Sequence, residues 1–445
     1  MTGDIKTPIK PSKLSPLLQP VQAFLAAESA GGIMLVVCAF AALVWANSPW
    51  GDSYAHFWHT KLAIGFGEYS FKLSLEHWVN DGLMVIFFLL VGLEIKREIL
   101  IGELASVRRA SLPIAAAIGG MVVPAGIFIA INFNKPGMHG WGIPMATDIA
   151  FAVGVLALVG KSVPTSVKIF LLAIAIVDDL GAVLVIALFY TSQISLPALA
   201  VAGGFLVLLI GLNVLSVHRP LPYILIGIGL WIATLASGVH ATIAGVLLAF
   251  TIPASRLINE DAFVDYSRKM LEKFERESVN TPDTITDAQS YSIKSLEEVS
   301  QAVQTPLALV EHALLRPVAF IIVPIFALAN AGVDLRSSGT AALYDPVTWG
   351  VLLGLFVGKP VGILLFSLLA IKSGMSSLPS GGTVKQLIGV SFLCGIGFTM
   401  SLFVANLAYP GTPDLLTASK VGIMGASLLA GVIGGVFIAT CKKAN

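Results

Sequence analysis
Long, almost unbroken apolar runs alternate with short polar connections along most of this chain. A helix that spans lipid needs roughly 20 mostly apolar residues, because hydrocarbon offers its backbone N–H and C=O groups no partner outside the helix itself. Twelve runs meet or approach that length: 31–46, 77–95, 112–131, 143–160, 167–191, 196–217, 222–236, 239–252, 317–331, 348–371, 387–407 and 420–440. The seventh and eighth are short. The pattern predicts an all-α polytopic membrane protein with about 12 transmembrane helices. Two connections depart from it. Between the first two runs, HTKLAIGFGEYSFKLSL reads as two partly alternating strands about a turn at Gly65, Phe66 and Gly67, a hairpin within about 56–76. The segment 256–305 is polar and mixed in charge, and FVDYSRKMLEKFERE near its start predicts an amphipathic helix. It reads as a solvated connector, with a regulatory or partner-binding role as the alternative.

Composition agrees. Of 445 residues, 56% are hydrophobic and 12% charged, and a mean hydropathy of +0.87 lies far outside the soluble range. A net charge of +1 gives no reason to expect nucleic acid or another strongly charged partner. Where the charges sit is more informative. Most Lys and Arg fall at the N-terminus, in alternate connections and at the C-terminus, whereas the opposite side holds only Lys61, Lys72, Lys135, Arg336 and Lys420. Since cytoplasmic loops retain positive charge, both termini (1–30 and 441–445) and the segment 253–316 are expected in the cytoplasm of a bacterial inner membrane, with the spans in 31–252 and 317–440. The first apolar run lacks a small-residue cleavage site and is expected to be retained as a helix. Cys38 and Cys394 lie in apolar runs and Cys441 beside Lys442, so no disulfide framework is expected. His56, His59 and His77 read as solvated loop residues rather than a metal site.

Four ionisable residues fall inside spans: Asp148 in IPMATDIAFAVG, Asp178 and Asp179 in AIAIVDDLGAVLV, and Lys359 in LFVGKPVGILL. Each costs at least about 2.5–3.5 kcal/mol near the bilayer centre, so such groups face a cavity and have a task. Consecutive residues on a helix point about 100° apart, so one of the paired aspartates can face Lys359 while the other faces an ion. A buried Lys–Asp pair that only fixes packing is the alternative, but it leaves two carboxylates without a counter-charge. Hard oxygen ligands suit Na⁺ or Li⁺, and Thr147 adds a hydroxyl beside Asp148. The same oxygens bind H⁺, and burial and a like charge favour the neutral form of a carboxylate, so protons and sodium can compete for one site. If only loaded states cross, that competition suffices for exchange. Pro144 ahead of Asp148, and Gly395 and Gly397 in LCGIGFTMS, mark two interrupted spans, the sequence pointer to a transporter's midplane site.

The segments WVNDGLMVIFFLLVGLEIKRE, PMATDIAFAVGVLALVG, KIFLLAIAIVDDLGAVLVIALFYT, SGVHATIAGV, FALANAGV and GKPVGI stand in the order and spacing of the NhaA sodium/proton antiporters, and the chain resembles that family over nearly its whole length. The resemblance implies inverted repeats formed by spans 3–5 and 10–12, with spans 4 and 11 unwound where they cross. It implies that Asp148 balances positive half-helix ends, that Lys359 balances negative ones and pairs with Asp178, and that Asp179 is the principal sodium and proton carboxylate. It also implies a homodimer through the hairpin, a role in sodium and pH homeostasis, and activation by alkaline internal pH through Glu94, Glu98, Glu311 and His312. Each of those four is equally readable as a helix-end charge or headgroup contact. His240 is readable as packing or sensing, and the long segment 256–305 departs from the family's best-known members.

Exchange is expected to be electrogenic, roughly two protons entering per sodium expelled, with no cofactor and no enzymatic chemistry. Sodium-coupled uptake of an organic solute is a second reading and needs a larger polar pocket. An intramembrane aspartyl protease is a third, but the paired YD and GxGD motifs expected of one are absent, and Lys359 has no task there.

Overall fold
The computed structural model describes residues 30–66, 69–159, 163–191, 194–277, 285–336 and 339–441. The expectations for 1–29 and 442–445 lie outside them, as does Gly67 at the hairpin turn. Helix α1 (Ala30–Asn47) is followed by a short α2 (Gly51–His59) and a two-stranded antiparallel hairpin, β1 (Lys61–Phe66) and β2 (Tyr69–Ser74), with Lys61 opposite Ser74 and Phe66 opposite Tyr69. His56 and His59 therefore sit on a helix, not in a loop. Continuous helix α3 (75–101) contains a π-helical stretch, Trp78–Leu83. Next come α4 (Val107–Asn132), α5 (Pro136–Met145, a 3₁₀ helix), α6 (Ile149–Val159), α7 (Thr165–Phe189), α8 (Leu196–Val214), α9 (Pro220–Ser237) and α10 (Thr242–Thr251).

In the polar segment, α11 (Glu260–Arg276) packs against α12 (Asp287–Val303), a second helix that the apolar pattern does not announce. Asn259 caps α11, and Thr286 with Gln289 forms a capping box on α12, so each start is fixed by side-chain bonds to otherwise unpaired backbone N–H groups. The remainder is α13 (Pro306–Asn330), α14 (Gly339–Tyr344), α15 (Pro346–Lys372), α16 (Val384–Cys394), α17 (Phe398–Ala408) and α18 (Pro413–Thr440). The ninth span thus begins eleven residues before the predicted 317, because Thr305 caps α13 and Pro317 is accommodated by a π-helical turn at Val318–Ile322.

Among the described residues, eight helices are long and apolar enough to cross a membrane, ten if α5 with α6 and α16 with α17 each count as one bent span. Large side chains such as Phe40, Ile101 and Leu188 stand exposed over the outside of the bundle, a surface suited to lipid rather than water. The chain is a multi-pass membrane protein.

Helices α4 and α15 lie along one another, with α7, α16 and α18 packed around them. Their approach is close because glycine meets glycine: a Cβ on Gly119 would fall 2.2 Å from the Gly362 carbonyl oxygen, and one on Gly362 would fall 2.0 Å from that of Gly119. On α15, Pro360 has no N–H for the helical ladder, and a π-helical stretch at Gly354–Gly358 takes up the mismatch immediately before Lys359.

Candidate ion site
The two bent helix pairs, α5 with α6 and α16 with α17, meet at their breaks. Residues 146–148 separate α5 from α6 at a bend of 45°, and residues 395–397 separate α16 from α17 at 41°. The Asp148 N–H donates to the Ile396 carbonyl at 2.7 Å, so one broken backbone supplies a partner that the other lacks. Asp148 sits at the N-terminal ends of α6 and α17. Its Oδ1 accepts from the Phe151 N–H at 2.9 Å, and its Oδ2 accepts from the Thr399 N–H at 3.0 Å and the Thr399 hydroxyl at 2.6 Å. A carboxylate at two helix N-termini offsets their positive partial charge.

Lys359 occupies the opposite electrostatic position. Fully buried, its Nζ donates to the carbonyl of Met145, the last residue of α5, and lies 3.0 Å from Asp178 Oδ2. The Thr147 hydroxyl is 2.8 Å from the same Asp178 oxygen and 2.9 Å from the Cys394 carbonyl at the end of α16, so its single proton serves one of them at a time.

Asp179 is as deeply buried as Asp178, yet neither of its carboxylate oxygens has a hydrogen-bond donor, and Asp178 Oδ1 has none either. The charges near enough to act on Asp179 are those of Asp178, Glu94, Lys359 and Asp148. Among the described residues no group of three or more His, Cys, Asp or Glu is arranged to hold a metal ion. A small cation at Asp178 and Asp179 would therefore complete its shell with hydroxyl, carbonyl or water oxygens, which suits Na⁺ or Li⁺ better than a transition metal.

A second charged group lies farther along α3. Arg97 pairs with the buried Glu311 of α13 and lies 3.4 Å from Glu98, while Glu98 Oε2 accepts from the Glu103 N–H at 2.9 Å. Glu94 is within electrostatic reach of Glu311, Arg97 and Glu98. His312 is exposed and is not brought into the group, and a ring nitrogen of His240 lies 2.7 Å from the Tyr190 carbonyl.

Sequence reasoning missed Thr399, Arg97 and the carbonyls of Met145, Cys394 and Ile396. Thr399 had a signal, since it follows the break in span 11 much as Thr147 and Asp148 sit at the break in span 4. The carbonyls had none.

The Na⁺/H⁺ antiporter 1 family matches residues 22–438. The chain belongs to that family. It is 50% identical over 422 residues to a protein of Koribacter versatilis named Na(+)/H(+) antiporter NhaA, covering 95% of this chain and 91% of the relative. Relatives of the same name in Sulfurimonas denitrificans (46% identical, covering 96% of each chain) and Oleidesulfovibrio alaskensis (47%, covering 95% and 94%) match along almost their full lengths. The antiporter family is a family of transporters, and the cluster brings together buried acids, one buried base and the ends of four short helices.

Proposed function
We propose that this chain exchanges Na⁺ or Li⁺ for H⁺ across a bacterial inner membrane, expelling internal sodium as external protons enter. The observation that carries this reading is the cluster of three buried carboxylate oxygens without a donor, Asp179 Oδ1 and Oδ2 and Asp178 Oδ1, beside a lysine already engaged with the remaining Asp178 oxygen. Unpartnered charges in a protein interior are tolerated only when neutralised, and here a proton or a bound sodium ion does so. The two occupants are mutually exclusive, which couples their fluxes. The names of the relatives agree with it.

In this reading Asp179 is the main carboxylate for both ions, and Asp178 alternates between Lys359 and the cargo. Thr147 and the neighbouring carbonyls contribute oxygens, and Asp148 holds the broken spans in place. Each sodium leaves against two protons. All twelve apolar segments span, including the charged α3 and the short α10. Both termini and 253–316 lie in the cytoplasm, and the hairpin lies outside, where its unpaired strand edges join two copies as a homodimer. Glu94, Glu98 and Glu311, with Arg97, form the pH-sensitive inner mouth, and His312, exposed and apart from that group, has no part in it.

The test is proton flux in everted vesicles against Na⁺, Li⁺ and K⁺, for the native chain and Asp179→Asn. The variant is expected to accumulate and fold normally yet show no sodium-dependent flux. Flux at the native rate from Asp179→Asn would overturn the assignment.

A further inference from the structure
A second polar cluster lies within the spanning region, away from the ion site. Asn330, fully buried at the end of α13, donates from Nδ2 to Asn80 Oδ1 at 2.9 Å and to the Phe326 carbonyl at 3.0 Å. Its Oδ1 accepts from Asn80 Nδ2 at 3.4 Å and from Asn406 Nδ2 at 2.6 Å. A carboxamide has two donor and two acceptor positions, so Asn330 is saturated. Asn406 is not: its Nδ2 is engaged, but its Oδ1 is buried without a partner.

The three amides belong to α3, α13 and α17, and they are not equivalent. Helices α3 and α13 are joined at two levels, by the reciprocal Asn80–Asn330 pair and by the Arg97–Glu311 ion pair, roughly 25 Å apart at 1.5 Å per residue. Braced twice, they act as one body. Helix α17 meets this body through Phe403, whose ring centroid is 5.3 Å from that of Phe88 and 6.2 Å from that of Phe326, and through the single Asn406–Asn330 bond about one turn beyond. Ring contacts are less directional than a hydrogen bond and tolerate some sliding over a range of tilts, whereas an amide bond fixes register. The other end of α17 carries Thr399, which holds Asp148.

We infer that Asn406 is the releasable tie that keeps the outer end of α17, and with it the ion-site bundle, seated against the α3–α13 body, and that breaking the Asn406–Asn330 bond is a step in opening the site to the outer face. This rests on the exchange reading above, in which the Asn330 end faces outward. Alternating access moves one bundle against another around the site. The Asn406 bond crosses that boundary, whereas the Asn80–Asn330 pair lies within one body and persists. Release lets the unpartnered Asn406 Oδ1 meet water, so the tie is weak in the direction in which it must open.

The test uses the full chain in proteoliposomes, with sodium titrated separately from each face at fixed pH. Losing one hydrogen bond that exists only in the outward-closed state shifts the two-state balance about fivefold. Asn406→Ala is therefore expected to raise the ratio of inner-face to outer-face KM for sodium about fivefold, and Asn406→Gln to restore part of the native ratio. An unchanged ratio, or equal shifts at both faces, overturns the proposal. A second arm does not depend on transport. With Cys38 and Cys441 changed to Ser, a membrane-impermeant maleimide added outside should label the buried Cys394, at the break between α16 and α17, faster in Asn406→Ala than in native Asn406. Equal labelling rates also overturn it. Native protein without sodium-dependent flux would remove the exchange reading and leave the labelling arm to judge the tie.

Discussion

Asp178 and Asp179 are adjacent and equally buried, but their surroundings differ. Asp178 neutralises Lys359 and is held by Thr147, while Asp179 has no donor at all. Stability and transport should therefore separate between them. Asp178→Asn leaves Lys359 in the interior without a counter-charge and is expected to lower unfolding free energy by about 3–5 kcal/mol. Asp179→Asn breaks no hydrogen bond and is expected to cost less than about 1 kcal/mol while eliminating exchange. Parallel detergent-denaturation titrations of the two variants measure the contrast, and equal losses would contradict it. The four buried charges were legible because a charge inside an apolar run is costly and conspicuous, and the helical period separates the directions of two consecutive aspartates. What was not legible is what completes their shells. A carbonyl such as that of Met145 or Cys394 leaves no trace in residue type, and Thr399 is an unremarkable residue for a membrane helix until its neighbour across the break is known.

At the scale of elements, the geometry of the Lys359–Asp178 pair depends on how closely α15 approaches α4. Gly362 lies one turn beyond Lys359, and a Cβ there would overlap the Gly119 backbone, which cannot swing aside as a side chain can. Gly362→Ala is expected to push the helices apart, cost about 1–3 kcal/mol and sharply reduce exchange by drawing Lys359 away from its 3.0 Å contact. Gly204→Ala on α8, where an added Cβ meets nothing within 4 Å, serves as the control and should be neutral or slightly stabilising. Thermal unfolding and vesicle flux of both variants check the pair, and an unaffected Gly362→Ala would show that the approach is not needed. The apolar runs displayed the longer helices, and α15 lies within two residues of its expected bounds. They did not display α12, whose few apolar residues recur at helical spacing but are too sparse to form an apolar run, nor the early start of α13, where a Thr cap and a π-helical turn carry the helix through Pro317. Glycines drew notice at the hairpin turn and at the break in span 11 but not at Gly119 or Gly362, because one sequence does not distinguish a glycine that admits a neighbouring backbone from one facing lipid.

At the scale of the whole molecule, the question is how much charge crosses the membrane in one cycle. In the proposed exchange, the two carboxylates beside Lys359 would take up two protons in place of one sodium ion. Such a cycle carries one net positive charge inward, which releases about 2.3 kcal/mol per 100 mV of inside-negative potential. At about 1.4 kcal/mol per factor of ten, that energy corresponds to a sodium ratio of roughly 50 between the two sides at equilibrium. Proteoliposomes clamped at 100 mV by a potassium gradient with valinomycin, with equal pH on both faces, should therefore drive sodium toward the positive side until it approaches that ratio. An electroneutral exchanger, with one proton per sodium, would show no net sodium movement under the same clamp. The direction of movement also separates exchange from sodium-coupled uptake: uptake would carry sodium toward the negative side and require an added solute. Adding a protonophore under the same clamp would collapse the sodium gradient only insofar as it moves the proton away from equal pH, which makes buffering capacity the control that decides how the plateau is read.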